Sequence, residues 1–151
     1  MSTGALSNYA SSIACTLNGQ PGSTGSGTSL EVTVALGDVL DCTFTNVRKP
    51  KITVKKVLRP SDDPGRFDLL VGSTVVKAAA GNGDSGSALV VPGPVTVGET
   101  GADGTDLSGY RSSISCTKNG SPDASGAGAS IELTVAAGDV EVCAITNQRA
   151  A

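Results

Sequence analysis

Residues 102–151 of this chain align without a gap on residues 1–50, and about half of the aligned positions are identical. Tyr9 falls on Tyr110, Cys15 on Cys116, Cys42 on Cys143 and Asn46 on Asn147. The offset is the same for every pair and close to one hundred residues, which is the size of a small domain rather than of a solenoid turn. The chain therefore reads as a slice of a tandem array: residues 1–47 as the back half of one repeat, and residues 48–151 as a complete second repeat. Tandem arrays of stiff domains build length rather than catalyse.

The complete repeat has to be assembled from small apolar residues. The chain has no Trp, two Phe and two Tyr, so Val, Ile, Leu and Ala must fill the core. Gly, Ser and Thr are abundant between short apolar runs, a strand-and-turn composition. Alternation predicts strands over 52–58, 67–71, 74–77, 88–91, 95–100, 112–117, 130–135 and 140–147. Turn signals separate them, among them Pro64-Gly65, Gly81-Asn82-Gly83, Pro92-Gly93, Asn119-Gly120 and Ala137-Gly138-Asp139. No segment holds helical periodicity for three turns. Short strands at this spacing predict an all-β chain, an antiparallel β-sandwich of immunoglobulin-like or related type.

The four cysteines form two identically spaced pairs. The pattern is not CxxC and the chain has no His, so a zinc site would need four thiolates drawn from two repeats. Even number and regular spacing favour one disulfide per repeat, Cys15–Cys42 and Cys116–Cys143. The alternative is two buried free thiols in each. Disulfides would place the chain in an oxidising, extracellular setting.

Other function classes find little support. The net charge of −3 and the lack of a basic cluster interleaved with aromatics argue against nucleic-acid binding. No apolar run approaches membrane-spanning length, and no secretory apolar region follows Met1. Asp62, Asp63, Asp103 and Asp106 lack calcium-loop spacing and read as solvated loop acids. The Gly-rich stretch at 81–86 is followed by no phosphate-binding lysine and reads as a hairpin loop. Without His the usual nucleophile–base pairing is missing, so an enzyme acting on an external substrate is not expected, and neither is a cofactor or metal.

Strand parity isolates three polar residues. If Ile52 and Val54 face the core, so does Lys56. By the same rule Val95 and Val97 carry Glu99 inward, and Cys143 and Ile145 carry Asn147. Burying an isolated amine or carboxylate is costly unless it is paired or neutralised.

These residues carry a resemblance. The first strand Ile52-Thr53-Val54-Lys55-Lys56-Val57, the segment Val95-Thr96-Val97-Gly98-Glu99-Thr100 running to Tyr110, and the closing Ile145-Thr146-Asn147 resemble the prealbumin-like (collagen-adhesin B-type) repeats of Gram-positive surface proteins and pilins. The likeness spans residues 48–149, and residues 1–47 repeat its back half. It implies a prealbumin-like sandwich and, as in many members, a spontaneous intramolecular isopeptide bond. Lys56 takes the amine role, Asn147 the amide role and Glu99 the proton-shuttle role. The chain departs from the family pattern in the Gly101-Ala102-Asp103-Gly104-Thr105 segment, which lacks the usual proline, and in its cysteine pair. In the alternative arrangement Lys56 reaches solvent at the sandwich edge and Asn147 bonds to backbone.

The expected function is a structural spacer of an extracellular bacterial surface or secreted protein, with neighbouring repeats as partners. The rival readings are an adhesive module for a host protein or glycan, and a unit that self-associates through residues 1–47.

Overall fold

The computed structural model describes residues 6–150. The chain divides into two compact units, with the division between Lys49 and Pro50.

In the first unit a 3-10 turn, Leu6–Asn8, leads into β1 (Tyr9–Leu17), β2 (Gln20–Ser26) and β3 (Leu40–Arg48). They form a three-stranded antiparallel sheet in the order β2-β1-β3. Asn18 and Gly19 make the β1–β2 turn, both at positive φ (52° and 80°), as a tight two-residue hairpin requires.

The second unit holds β4 (Lys51–Arg59), β5 (Arg66–Val71), β6 (Thr74–Ala80), β7 (Ser85–Leu89), β8 (Gly93–Ala102), β9 (Tyr110–Lys118), β10 (Ser121–Ala127), β11 (Ser130–Val135) and β12 (Val140–Arg149). A five-stranded sheet, β10-β9-β12-β4-β7, accompanies a four-stranded sheet, β11-β8-β5-β6. Every pairing is antiparallel except one: β4 and β12, the first and last strands, run parallel side by side. The core is Ile52, Val54, Leu69, Val71, Val97, Ile114, Leu133, Val135 and Ile145, with the Cys116–Cys143 disulfide among them. Fully burying side chains of this size contributes about 1.5–3 kcal/mol each. Seven of the eight expected strands appear with the same or extended ends, whereas the one expected over 88–91 lies earlier, as Ser85–Leu89, where it pairs with β4. A ninth, β10, was not expected. Its sequence Ser-Pro-Asp-Ala-Ser-Gly-Ala has no apolar alternation, because it is a largely exposed edge strand recruited by the Asn119-Gly120 turn.

The two copies of the back half differ where partners differ. In the second unit β11 pairs with β8 and β12 pairs with β4. The first unit has no such partners among the described residues. Ser29–Val34, which align with β11, form no strand, and β3 has only β1 beside it. What survives in both is local. Asn119 accepts from Val140 N (2.9 Å) and donates to Asp139, which accepts from Ala136 N. Asn18, Val39, Asp38 and Ala35 repeat that network.

Candidate cross-linking site

β4 alternates Ile52, Val54, Lys56 and Leu58 inward, β8 sends Val97 and Glu99 inward, and β12 sends Glu141, Cys143, Ile145 and Asn147 inward. Lys56, Glu99 and Asn147 are 1%, 6% and 0% exposed, which places them with the core rather than at its rim. Lys56 Nζ donates to Glu99 Oε2 at 2.5 Å and lies 4.2 Å from the centroid of the Phe67 ring. In the parallel pairing Lys56 sits opposite Ile145 and Leu58 opposite Asn147, so Asn147 is the next inward position on the neighbouring strand. Neither Nδ2 nor Oδ1 of Asn147 has a hydrogen-bond partner, and Glu99 Oε1 is also unpaired.

That arrangement is chemically uncomfortable. A buried polar atom without a partner costs about 1–3 kcal/mol, and charged groups more. Burial is the main influence on the Lys56 amine and lowers its pKa, against the opposing pull of Glu99. Burial therefore favours an amine with a free lone pair. Asn147 is a buried amide that no hydrogen bond holds in place.

Two further groups bracket β12. Near its C-terminal end, Asp63 accepts hydrogen bonds from Tyr110 Oη (2.6 Å), Gly65 N (2.8 Å) and Arg149. Arg149 also donates to Tyr110 Oη at 2.6 Å and lies over its ring. Arg149 above all, then Tyr110 and Gly65, holds the Asp63 carboxyl far below the usual carboxylate range. Asp63 is thus a latch between the β4–β5 loop and β12, not a solvated loop acid. Asp106 caps the 3-10 turn Leu107–Gly109 through Ser108 N. Asp62 and Asp103 are exposed.

At the other end Glu141 is fully buried beside the Cys116–Cys143 disulfide, and neither carboxylate oxygen has a partner. Burial, and then the neighbouring Asp123, pushes its pKa up to about 7. Parity on β12 predicts this position as directly as it predicts Asn147, yet sequence reasoning did not single it out. Asp63 could not have been found that way, because its partners lie on strands remote in sequence.

The cysteines are joined as Cys15–Cys42 and Cys116–Cys143, each pair directly opposite across neighbouring strands.

Two facing sheets, with the first and last strands parallel and adjacent, define a prealbumin-like sandwich. A family model described as a prealbumin-like fold domain matches residues 1–48 and 66–149, and the chain belongs to that family. Among solved structures it is similar to a variant of the major pilin from Streptococcus pyogenes, at 14% identity and a TM-score of 0.47, over 93% of this chain and 64% of that one. It thus spans less than two thirds of that pilin's length. A second Streptococcus pyogenes major pilin is similar at 9% identity and a TM-score of 0.50, over 94% of this chain and 91% of that one. At such identities the likeness concerns the fold alone. No curated protein matches the chain.

Proposed function

We propose that the complete repeat is a structural spacer of an extracellular bacterial surface protein, giving length and resistance to force and proteolysis, and that Lys56 and Asn147 close an isopeptide bond across its first and last strands. The observation that carries this reading is the buried Lys56–Glu99 pair alongside an Asn147 amide with no partner. Lys56 Nζ attacks Asn147 Cγ, and the new C–N bond forms as the Cγ–Nδ2 bond breaks. Glu99 takes a proton from the amine and returns it to the departing nitrogen, which leaves as ammonia. The product is neutral, so the cost of burying an amine is removed.

The geometry suits load-bearing. β4 and β12 carry the two ends of the repeat and lie side by side, so a bond between them would route tension through covalent links. The Cys116–Cys143 disulfide ties β12 to β9 on the other side. In the chain-entropy model a disulfide closing a loop of this length contributes about 3–4 kcal/mol. The adhesive reading has less to work with. Of the four aromatics, Phe67 is buried, Tyr110 is held by Asp63 and Tyr9 is paired with Arg48, which leaves Phe44 as the one exposed ring free of such a partner among the described residues. A second reading, association through residues 1–47, is favoured by the open edge of β3.

The test is intact mass under denaturing conditions, before and after reduction. The bond makes the chain lighter by one ammonia beyond the hydrogens lost to disulfides, and Glu99→Ala abolishes that loss. A wild-type mass with disulfide losses alone would leave Lys56 as a buried ion-pair partner.

A further inference from the structure

The first unit keeps, in the open, what the second unit encloses. Phe44 aligns with Ile145, yet Phe44 is 61% exposed and Ile145 0%. Val34 aligns with Val135, yet they are 56% and 2% exposed. Asn46 is exposed where Asn147 is buried. The differences lie where β4 and β8 stand in the complete repeat. Among the described residues, the edge of β3 turned away from β1 has no strand beside it, a ready template for another strand.

One detail gives this surface a chemical preference. Arg48 donates to Tyr9 Oη at 2.8 Å and lies 5.0 Å from the centroid of its ring. Arg149 and Tyr110 make the same pair in the second unit, where both also bind the Asp63 carboxylate. Arg48 has no carboxylate within ion-pair reach among the described residues. The clamp is assembled before its acid arrives.

We propose that the β1–β3 sheet is a binding site for the front half of a repeat of this same kind, a segment with the β4–β8 pattern of residues 50–102. Its first strand adds to β3 in parallel, as β4 adds to β12. A carboxylate in the Asp63 position seats on Arg48 and Tyr9, and apolar residues in the pattern of Ile52 and Val54 cover Phe44. Asn46 then lies where Asn147 lies, next to an amine in the Lys56 position and a carboxyl in the Glu99 position. It becomes the electrophile of a second cross-link, by the same loss of ammonia. The cross-link rests on the reading of Lys56 and Asn147 given above; the docking does not. In the complete repeat β4–β8 already serve β9–β12, so the occupant is the front half of a different repeat.

The experiment fuses a further copy of residues 50–101 ahead of residue 1 of the full chain, so that Met1 follows where Ala102 follows in the complete repeat. Hydrogen exchange at the β3 amides turned away from β1 should slow at least about tenfold relative to the unfused chain, as new strand hydrogen bonds form. The denatured mass should show two ammonia losses, the second mapping to Asn46. Asn46→Ala in the fusion should remove that loss and keep the protection, whereas Arg48→Ala should reduce the protection. Residues 50–102 supplied as a separate polypeptide should protect the same amides of the full chain, and peptide mapping tells Asn46 adducts from exchange at Asn147. Protection without any ammonia loss upholds the docking and sinks the cross-link. Unchanged β3 exchange in the fusion overturns the proposal. So does a full chain that dimerises alone with β3 already protected and admits no added segment.

Discussion

Glu141 is the residue whose replacement should most improve this domain. In the N-terminal copy the same position is Leu40, so one repeat carries an apolar side chain where the other carries an acid. Glu141 is fully buried, pairs in register with Ile52 on β4 and Lys118 on β9, and has no hydrogen-bond partner. Asp123 and Asp139 add negative charge nearby, and Lys118 offsets it in part. An ordinary glutamate ionises near 4.5, and here the value rises to about 7. The unfolded chain therefore releases this proton first. Stability contributed by the protonated form is fully present below about pH 4.5 and is lost as pH rises to about 7, after which the penalty is constant. The gap corresponds to a penalty of about 3 kcal/mol at pH 8. Glu141→Leu should recover most of it, and each kcal/mol moves the melting temperature of a domain this size by about 4–8 °C. The assay is denaturant unfolding followed by circular dichroism at pH 5 and pH 8. The wild type should be less stable at pH 8, and the variant should gain far more at pH 8 than at pH 5. An equal gain at both values would refute the argument, since the benefit would then come from packing alone.

Ile145→Ala should destabilise the complete repeat by about 2–5 kcal/mol, while Phe44→Ala at the aligned position should change unfolding by no more than about 0.5 kcal/mol; paired melts of the two variants check this. Asp63→Asn should cost about 2 kcal/mol at neutral pH, because three donors lose a charged acceptor. That contribution is present above the ordinary aspartate value of 3.8 and fades as pH falls through the much lower folded-state value, so wild type and variant should converge in strong acid. Gly86→Ala should disrupt the β4–β7 pairing at Val54, since a methyl group there would overlap the Val76 carbonyl; the cost is about 1–3 kcal/mol, read by chemical denaturation, with faster exchange along β7.

The strands, the repeat and the inward parity of Lys56, Glu99 and Asn147 could be read from the sequence, because period-two alternation and turn residues are local signals. The same parity pointed to Glu141, but an acid at the end of a strand looks like an ordinary exposed residue until its neighbours are known. β10 carried no signal, because its strand state comes from pairing with β9 rather than from its own side chains. The residues of the β11 position show the limit most plainly. Ser130–Val135 is a strand, whereas its near-copy Ser29–Val34 is not, because only the former has β8 beside it. Isoleucine at 145 and phenylalanine at 44 are equally apolar, yet a neighbouring strand buries one and the other stays exposed. Sequence by itself determined which residues can face a core. The tertiary structure decided which of them have one to face, because burial and strand pairing depend on partners distant along the chain.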